Sequence, residues 1–398
     1  MSGRAYWLWL AAKEELTALV KNQLLDRFGT PGHLYAMSRA ELAASTGLTK
    51  RQVDALSDKS MERARAIAYD CEALGISIVT LADAEYPSIL RRIPDPPLVL
   101  YVKGKLPDLE QTSGIGIVGT RKATPYGLMA AEHFGYGLAK AGCTVVSGMA
   151  LGADGAAARG ALKAGGKTIA VLAGGLNICY PPEHNFLMGD ILLSGAVISE
   201  NPPGTPHDGF RFPIRNRIIS GLSRGVLVVE APLRSGALIT ARLALDQGRE
   251  VFAVPGAINA PGSAGCNRLI RDGEAALVTE PRDIIGELSV FPQQMAEPVW
   301  DEPEDAGEEE KPSDLWDKIL QKKTEEPLAA QTVSAPHPVP AELSDEQKQI
   351  VQAVADGADT PEGILEVTDL PASRVMTALT MLELDGVLAR ENGRIVIR

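Results

Sequence analysis

Apolar positions along this chain change their spacing twice. Near the start, Leu16, Leu19, Val20, Leu24 and Leu25 recur close to the helical period, and Arg27-Phe28-Gly29 ends that helix with a glycine just past its last turn. Ser38 stands three residues before Glu41, a capping box that opens a second helix, and Thr46-Gly47-Leu48-Thr49 turns into a third near Lys50. Residues 1–74 therefore read as a small helical domain.

From 75 to 290 the period shortens. Apolar runs rich in β-branched residues recur at Ile76–Thr80, Ile115–Val118, Thr144–Val146, Thr168–Leu172, Ala196–Ser199, Val226–Val229 and Val251–Val254, with helical stretches between most of them. Parallel strands buried on both faces read as continuous apolar runs, so the region is α/β, a Rossmann-like and mostly parallel sheet. Residues 291–340 lose the pattern: Glu308-Glu309-Glu310 and Pro336-His337-Pro338-Val339-Pro340 mark an acidic, proline-rich linker. A compact unit returns over 341–398. Ser344 caps one helix, Thr360-Pro361 and Leu370-Pro371 start two more, and Asn392-Gly393 between two apolar runs signals a hairpin. Three helices and a hairpin make a winged helix.

The first domain is similar to a helix-hairpin-helix or sterile-alpha-motif bundle. DNA-binding hairpins carry two glycines in the turn, and Gly47 stands alone, which favours a packing or partner role. The third helix of the winged domain would normally enter a major groove. Here Arg374 is its one base, with Glu383 and Asp385 at its far end, and the domain carries −6. That favours protein contact over duplex DNA, because phosphate neutralisation needs several cations.

Charge is distributed as unevenly as pattern. The total of −12 divides into +2 over 1–70, 0 over 71–290, −8 over 291–340 and −6 over 341–398. A neutral central domain can hold a local basic groove, since charge beyond a Debye length of roughly 8 Å is screened. Cys71, Cys143, Cys179 and Cys266 form no CxxC pair and suit a reduced, cytoplasmic protein. No apolar run reaches membrane-spanning length and the N-terminus has no signal-peptide pattern, so no membrane partner is expected.

Candidate chemistry gathers where ligands gather in open parallel sheets, beyond the carboxyl ends of the strands. Gly119-Thr120-Arg121 follows one strand, Ser147-Gly148 another, and Arg234-Ser235-Gly236 a third. Glycines let a phosphate approach the backbone, hydroxyls donate, and Arg121 adds a planar cation. The run Phe210-Arg211-Phe212-Pro213-Ile214-Arg215-Asn216-Arg217 has two readings: rings for bases with guanidiniums for phosphates, or a helix start with Pro213 first, Phe212 in the core and solvated arginines. Gly114, Gly116 and Gly119 spell GxGxxG but sit within and at the end of a strand, and Gly165-Gly166-Lys167-Thr168 precedes a strand, so neither marks a nucleotide cofactor. No cofactor is expected. The five histidines lack metal-ligand spacing, no GxSxG elbow occurs, and Glu200 and Glu230 suit arginine pairing or helix capping, which points to binding without turnover and to no metal or catalytic residues.

Together these stretches resemble the DNA-processing protein A family (DprA/Smf). The match runs in order from about 110 to 275 through Ile117–Arg121, Ser147–Asp154, Ile169–Leu176, Ile198–Glu200, Phe212–Ile219, Val228–Ala231, Arg234–Ala241 and Val251–Gly256. The resemblance implies a non-enzymatic, homodimeric protein that dimerises through its Rossmann-like domain, binds single-stranded DNA and helps load RecA recombinase in natural transformation. Carried over by position, Arg121 would hold a phosphate and the Gly119–Thr120 and Ser147–Gly148 turns would line the pocket. Phe212 would offer a stacking face and Arg215 or Arg217 further cations, while Asn216 fixes the turn or joins the site. Where the family is expected to carry a histidine after its SGxAxGxD stretch, this chain reads Gly155-Ala156-Ala157-Ala158-Arg159. The same sheet edge also resembles phosphoribohydrolases acting on nucleoside monophosphates, in which case Glu230 or Glu200 would be the acid. A pure interaction scaffold is the third reading.

Overall fold

The computed structural model describes residues 3–44, 47–288 and, from 344 to 397, all but 361–362, 365–366, 369, 371–374, 376–377, 380–381, 383–386 and 392–393. The linker expected over 291–340, the Asn392-Gly393 turn and Arg374, Glu383 and Asp385 lie outside the described residues. The chain divides into two compact units, before and after residue 300.

The first unit opens with six helices, α1 (Gly3–Ala11), α2 (Ala18–Phe28), α3 (Pro31–Ala36), α4 (Arg39–Ala44), α5 (Lys50–Ser57) and α6 (Glu62–Ala73). Local chemistry sets their ends. Ser38 and Glu41 exchange the two bonds of a capping box, Thr49 and Gln52 do the same, and Gly29 takes φ +83° after α2. Nine strands follow: β1 (Ser77–Thr80), β2 (Val99–Gly104), β3 (Gly114–Val118), β4 (Thr144–Ser147), β5 (Lys167–Val171), β6 (Ala196–Ser199), β7 (Gly225–Val228), β8 (Glu250–Ala253) and β9 (Ala276–Leu277). The helices among and after them are α7 (Ser88–Arg91), α8 (Leu109–Thr112), α9 (Pro125–Lys140), α10 (Ala153–Lys163), α11 (Asn185–Ser194), α12 (Arg211–Gly221), α13 (Gly236–Asp246), α14 (Ala264–Arg271) and α15 (Pro281–Glu287).

The nine strands form one sheet in the order β1-β2-β6-β5-β4-β3-β7-β8-β9. From β6 to β9 every pairing is parallel, and β2 joins β6 antiparallel with β1 antiparallel outside it. All seven runs picked out by their apolar pattern are strands. β2 and β9 were not anticipated: β2 follows the proline-rich Pro94–Pro97 turn, and β9 is two residues long.

Alternation along each strand builds the layers. Leu100 and Val102 of β2, Ile169 and Val171 of β5, and Val226 and Val228 of β7 share one core with α12, α13 and α14. On the opposite face, Ile115, Ile117 and Leu227 pack under α9 and α10. The rest of that face, with Val99, Tyr101, Ala170 and Val197, packs into a core that includes Leu8, Trp9, Leu24 and Leu34 of the N-terminal helices.

In the second unit, helix α16 (Asp345–Ala355) is capped by Ser344 and Gln347, and β10 (Leu388–Glu391) pairs antiparallel with β11 (Arg394–Ile397). Their register pairs Leu388 with Ile397 and Arg390 with Ile395. Ile350, Ile364, Leu379, Leu388 and Ile395 form its core, and Thr360 Oγ1 accepts the Gly363 N–H as expected of a helix cap.

Candidate functional site

The strand order reverses between β3 and β7. Strands β3 to β6 run outward on one side and β7 to β9 on the other, which opens a crevice at the carboxyl ends of the two central strands. A pocket of about 320 Å³ lies there, lined by Gly119, Thr120 and Arg121 after β3, Phe212 and Asn216 from α12, and Arg234, Ser235 and Gly236 after β7. A larger hollow of about 910 Å³ runs along the edge strand β1. Its lining carries Glu72, Asp83, Glu85, Asp108 and Glu110 against Arg4 and Lys105, so its field disfavours a phosphate.

The switch-point pocket has the opposite balance. Arg121 and Arg234 are exposed there, and among the described residues no carboxylate pairs with either. The Arg121 guanidinium rests 4.5 Å from the centroid of the Phe212 ring, a cation–π contact that holds it without neutralising it. At the start of α13, Ser235 Oγ accepts the Ala237 N–H and the Ser235 carbonyl accepts that of Leu238. Gly236, one residue back, lines the pocket with backbone alone. The positive end of the helix dipole therefore adds to the two guanidiniums.

Behind this rim the polar groups serve the fold. The buried Asp154 carboxylate accepts N–H groups from Gly148 (3.1 Å) and Ala150 (3.4 Å), tying the loop after β4 to α10. Between them Met149 is fully buried at φ +53°, a left-handed conformation kept by those bonds and by the His184 ring, whose Nδ1 bonds the Met149 carbonyl at 2.9 Å. His184 comes in from the turn before α11 and packs against Gly155, where a Cβ would stand 2.5 Å from its Cε1. No local pattern around Pro182–His184 signals its role.

Four sequence assignments are corrected by these contacts. Arg215 is buried: its guanidinium donates to the carbonyls of Gly148 (2.9 Å) and Val171 and to Asn216 Oδ1 (3.1 Å). Burial pushes it down to about 10 while Asp154 pulls it back up, so it stays charged as the pocket's floor, not as a free hand. Burial likewise raises the Asp154 carboxyl, with Arg215 opposing. Arg217 faces away from the pocket. It forms two hydrogen bonds to Glu200 (2.9 and 2.7 Å) and, from Nε, one to the Asp95 carboxylate (2.9 Å) and one to the Asp95 carbonyl (3.2 Å); burial opposes its charge, but the two carboxylates outweigh burial and hold it above its ordinary value. Ser147 is buried, with Oγ donating to the Ile117 carbonyl at 2.7 Å, and Gly148 lies beneath the lining with a would-be Cβ 2.5 Å from the Arg215 guanidinium. The Thr120 N–H also turns inward, to the Glu230 carbonyl at 2.7 Å. A neighbouring strand and a buried aspartate have taken these donors, which leaves the α13 start and the guanidiniums of Arg121 and Arg234 lining the pocket.

Both alternatives for the acid of a hydrolase are engaged. Glu200 pairs with Arg217, and Glu230, 2 % exposed, accepts from the Thr124 N–H (2.8 Å) and Oγ1 (3.0 Å) at the start of α9. Helix α12 begins at Arg211, so Pro213 is third in the helix and not first. Asn216 ties α12 to α13 through Nδ2 and the Gly236 carbonyl (3.4 Å). Arg234, which the sequence placed in the turn after β7 without giving it a role, also lines the pocket. No cluster of His, Cys, Asp and Glu among the described residues could hold a metal, and no described helix is long and apolar enough to cross a membrane.

Residues 77–289 match the family described as DNA recombination-mediator protein A, and 334–394 match the DprA winged helix domain. Protein Smf of Synechocystis sp. is 37% identical over 323 residues, 79% of this chain and 78% of that protein. The DNA processing protein DprA of Bacillus subtilis is 43% identical over 224 residues, 56% of this chain and 75% of that protein. Among solved structures, DNA processing protein A of Streptococcus pneumoniae superposes with a TM-score of 0.62 at 36% identity, covering 71% of this chain and 97% of that one.

Proposed function

Since the chain belongs to the DNA recombination-mediator protein A family, also called DprA or Smf, we propose that its switch-point pocket grips the backbone of single-stranded DNA. The protein then acts as a homodimer, joined through the Rossmann-like domain, that covers incoming strands and helps load RecA recombinase onto them in natural transformation. This is a binding role without turnover, in the cytoplasm. The observation that carries it is the pairing of two unneutralised guanidiniums, Arg121 and Arg234, with the start of α13 in one pocket. Gly119, Thr120, Ser235 and Gly236 line its walls, Phe212 steadies Arg121, and Arg215 and Asn216 hold the floor.

Fluorescence-anisotropy titration with matched single- and double-stranded oligonucleotides at two salt concentrations tests this. Single strands are expected to bind more tightly. Arg121→Ala should weaken binding to every sequence and flatten the salt dependence by about 0.7 log unit per log salt, the release expected for one phosphate contact. An unchanged slope would remove Arg121 from the site, and equal affinity for duplex would reject the single-strand assignment.

A further inference from the structure

A row of rings leads out of the pocket on the β5–β6 side. Phe212, under Arg121, lies 5.5 Å from Tyr180, and Tyr180 stacks nearly parallel on His207, with centroids 5.2 Å apart and planes 17° from each other. Two residues before Phe212, Phe210 is 62% exposed with the Arg211 guanidinium 4.9 Å from its ring centre. That guanidinium is fixed in turn by Asn201 Oδ1 at 3.0 Å and by Asp208 at 3.5 Å.

The loops that carry these rings are sewn together. Asn177 Oδ1 accepts the Gly204 N–H (2.8 Å), Asn201 Nδ2 donates to the Ala173 carbonyl (3.0 Å), and His207 Nε2 bonds the Ile178 carbonyl (3.0 Å). A rigid aromatic surface loses little freedom when a flat ligand covers it. The opposite lip, after β8, offers Ile258, which is fully exposed, and the half-exposed Tyr126, whose hydroxyl is tied to the Pro255 carbonyl.

We propose that Tyr180 and Phe210 form a base-binding extension of the pocket, taking unpaired nucleobases of a strand whose phosphates sit beside Arg121, so that the strand leaves the pocket over β5 and β6. The proposal rests on the single-strand reading above and adds a direction and two contacts to it. Bases fit better than a protein side chain because Tyr180 adjoins Phe212 of the pocket wall, Phe210 stands two residues from it, and Arg121 and Arg211 lie against these phenylalanine rings. Stacking on rings also tolerates any base, which suits a surface that tracks a strand.

The test compares an oligothymidylate of ~12 nucleotides, within the span such surfaces cover, with an abasic oligomer of the same length. Tyr180→Ala and Phe210→Ala should each weaken binding of the oligothymidylate roughly 5- to 100-fold, the range for one lost base–aromatic stack. They should leave the abasic oligomer bound as before, and Phe210→Trp should retain affinity. Ile258→Ala should change neither. Parental binding of both oligomers by the two alanine variants would overturn this extension and leave the pocket standing, and so would equal losses on both. A loss confined to Ile258→Ala would send the strand over the other lip. If the parent retains neither oligomer, the pocket reading falls as well. Phe210 is exposed and its alanine variant should fold, so it decides the matter even if Tyr180→Ala does not.

Discussion

Replacing Arg217 separates a cation that builds the site from one that would touch DNA. The side chain of Arg217 is 5% exposed and meets Glu200, itself 18% exposed, at 2.7 Å, and Asp95, a third exposed, at 2.9 Å. Arg217→Met keeps much of the volume but strands both carboxylates. Breaking a buried pair by removing one partner costs about 3–5 kcal/mol. Because water reaches Asp95, most of that loss falls on Glu200, and we take about 3 kcal/mol. With a urea dependence of about 3 kcal/mol per molar, the unfolding midpoint should drop by about 1 M. Adding Glu200→Gln should recover part of the loss, since the stranded charge is then gone. Circular dichroism in urea reads the midpoint. Anisotropy without urea, where the variant is still folded, should show parental affinity for single-stranded DNA. An unchanged midpoint together with weakened DNA binding would refute the argument and return Arg217 to the site.

Two further outcomes follow from particular contacts. Gly119→Ala would place a Cβ 2.5 Å from that of Ala153 and 3.1 Å from the Glu230 carbonyl, so it should cost about 1–3 kcal/mol by overpacking and also lower DNA affinity; a variant that melts and binds like the parent would contradict this. Burial, aided by the Arg215 charge and opposed by the Ile178 carbonyl and Asp208, lowers His207 below its ordinary value of 6.5. The folded ring then binds its proton less readily than the unfolded one, so its contribution to stability is complete above pH 6.5 and is lost as pH falls toward the folded value. The urea midpoint should decline on acidification through that window, and His207→Gln should flatten the decline.

How much of this was legible in the sequence depended on the range of the cause. Strand runs, capping boxes and the glycine turns at Gly119 and Gly236 are local, and each stood where the pattern put it. β9 was too short to show a period, and β2 was obscured by the prolines before it. The arginines of α12 misled because charge is visible in a sequence and its partner is not. Asp95 lies 122 residues from Arg217, and the Gly148 carbonyl 67 residues from Arg215. Ser147 failed for a related reason: a hydroxyl at a strand end is equally free to bond a neighbouring strand, and here it donates to the Ile117 carbonyl. Arg234 was visible beside Ser235, yet only the fold shows it opposite Arg121 across the switch point.

The core shared by the first six helices and the sheet has a consequence for dissecting this molecule. Leu8, Trp9, Leu24 and Leu34 roof Val99, Tyr101 and Val197, a task that crossover helices perform elsewhere on the same face. Amputation ahead of β1 would wet that whole patch of sheet, and the remnant should clump during purification instead of yielding a tidy minimal binder. The leading bundle is thus a lid riveted to the machine it covers, and studies of the pocket should keep it attached.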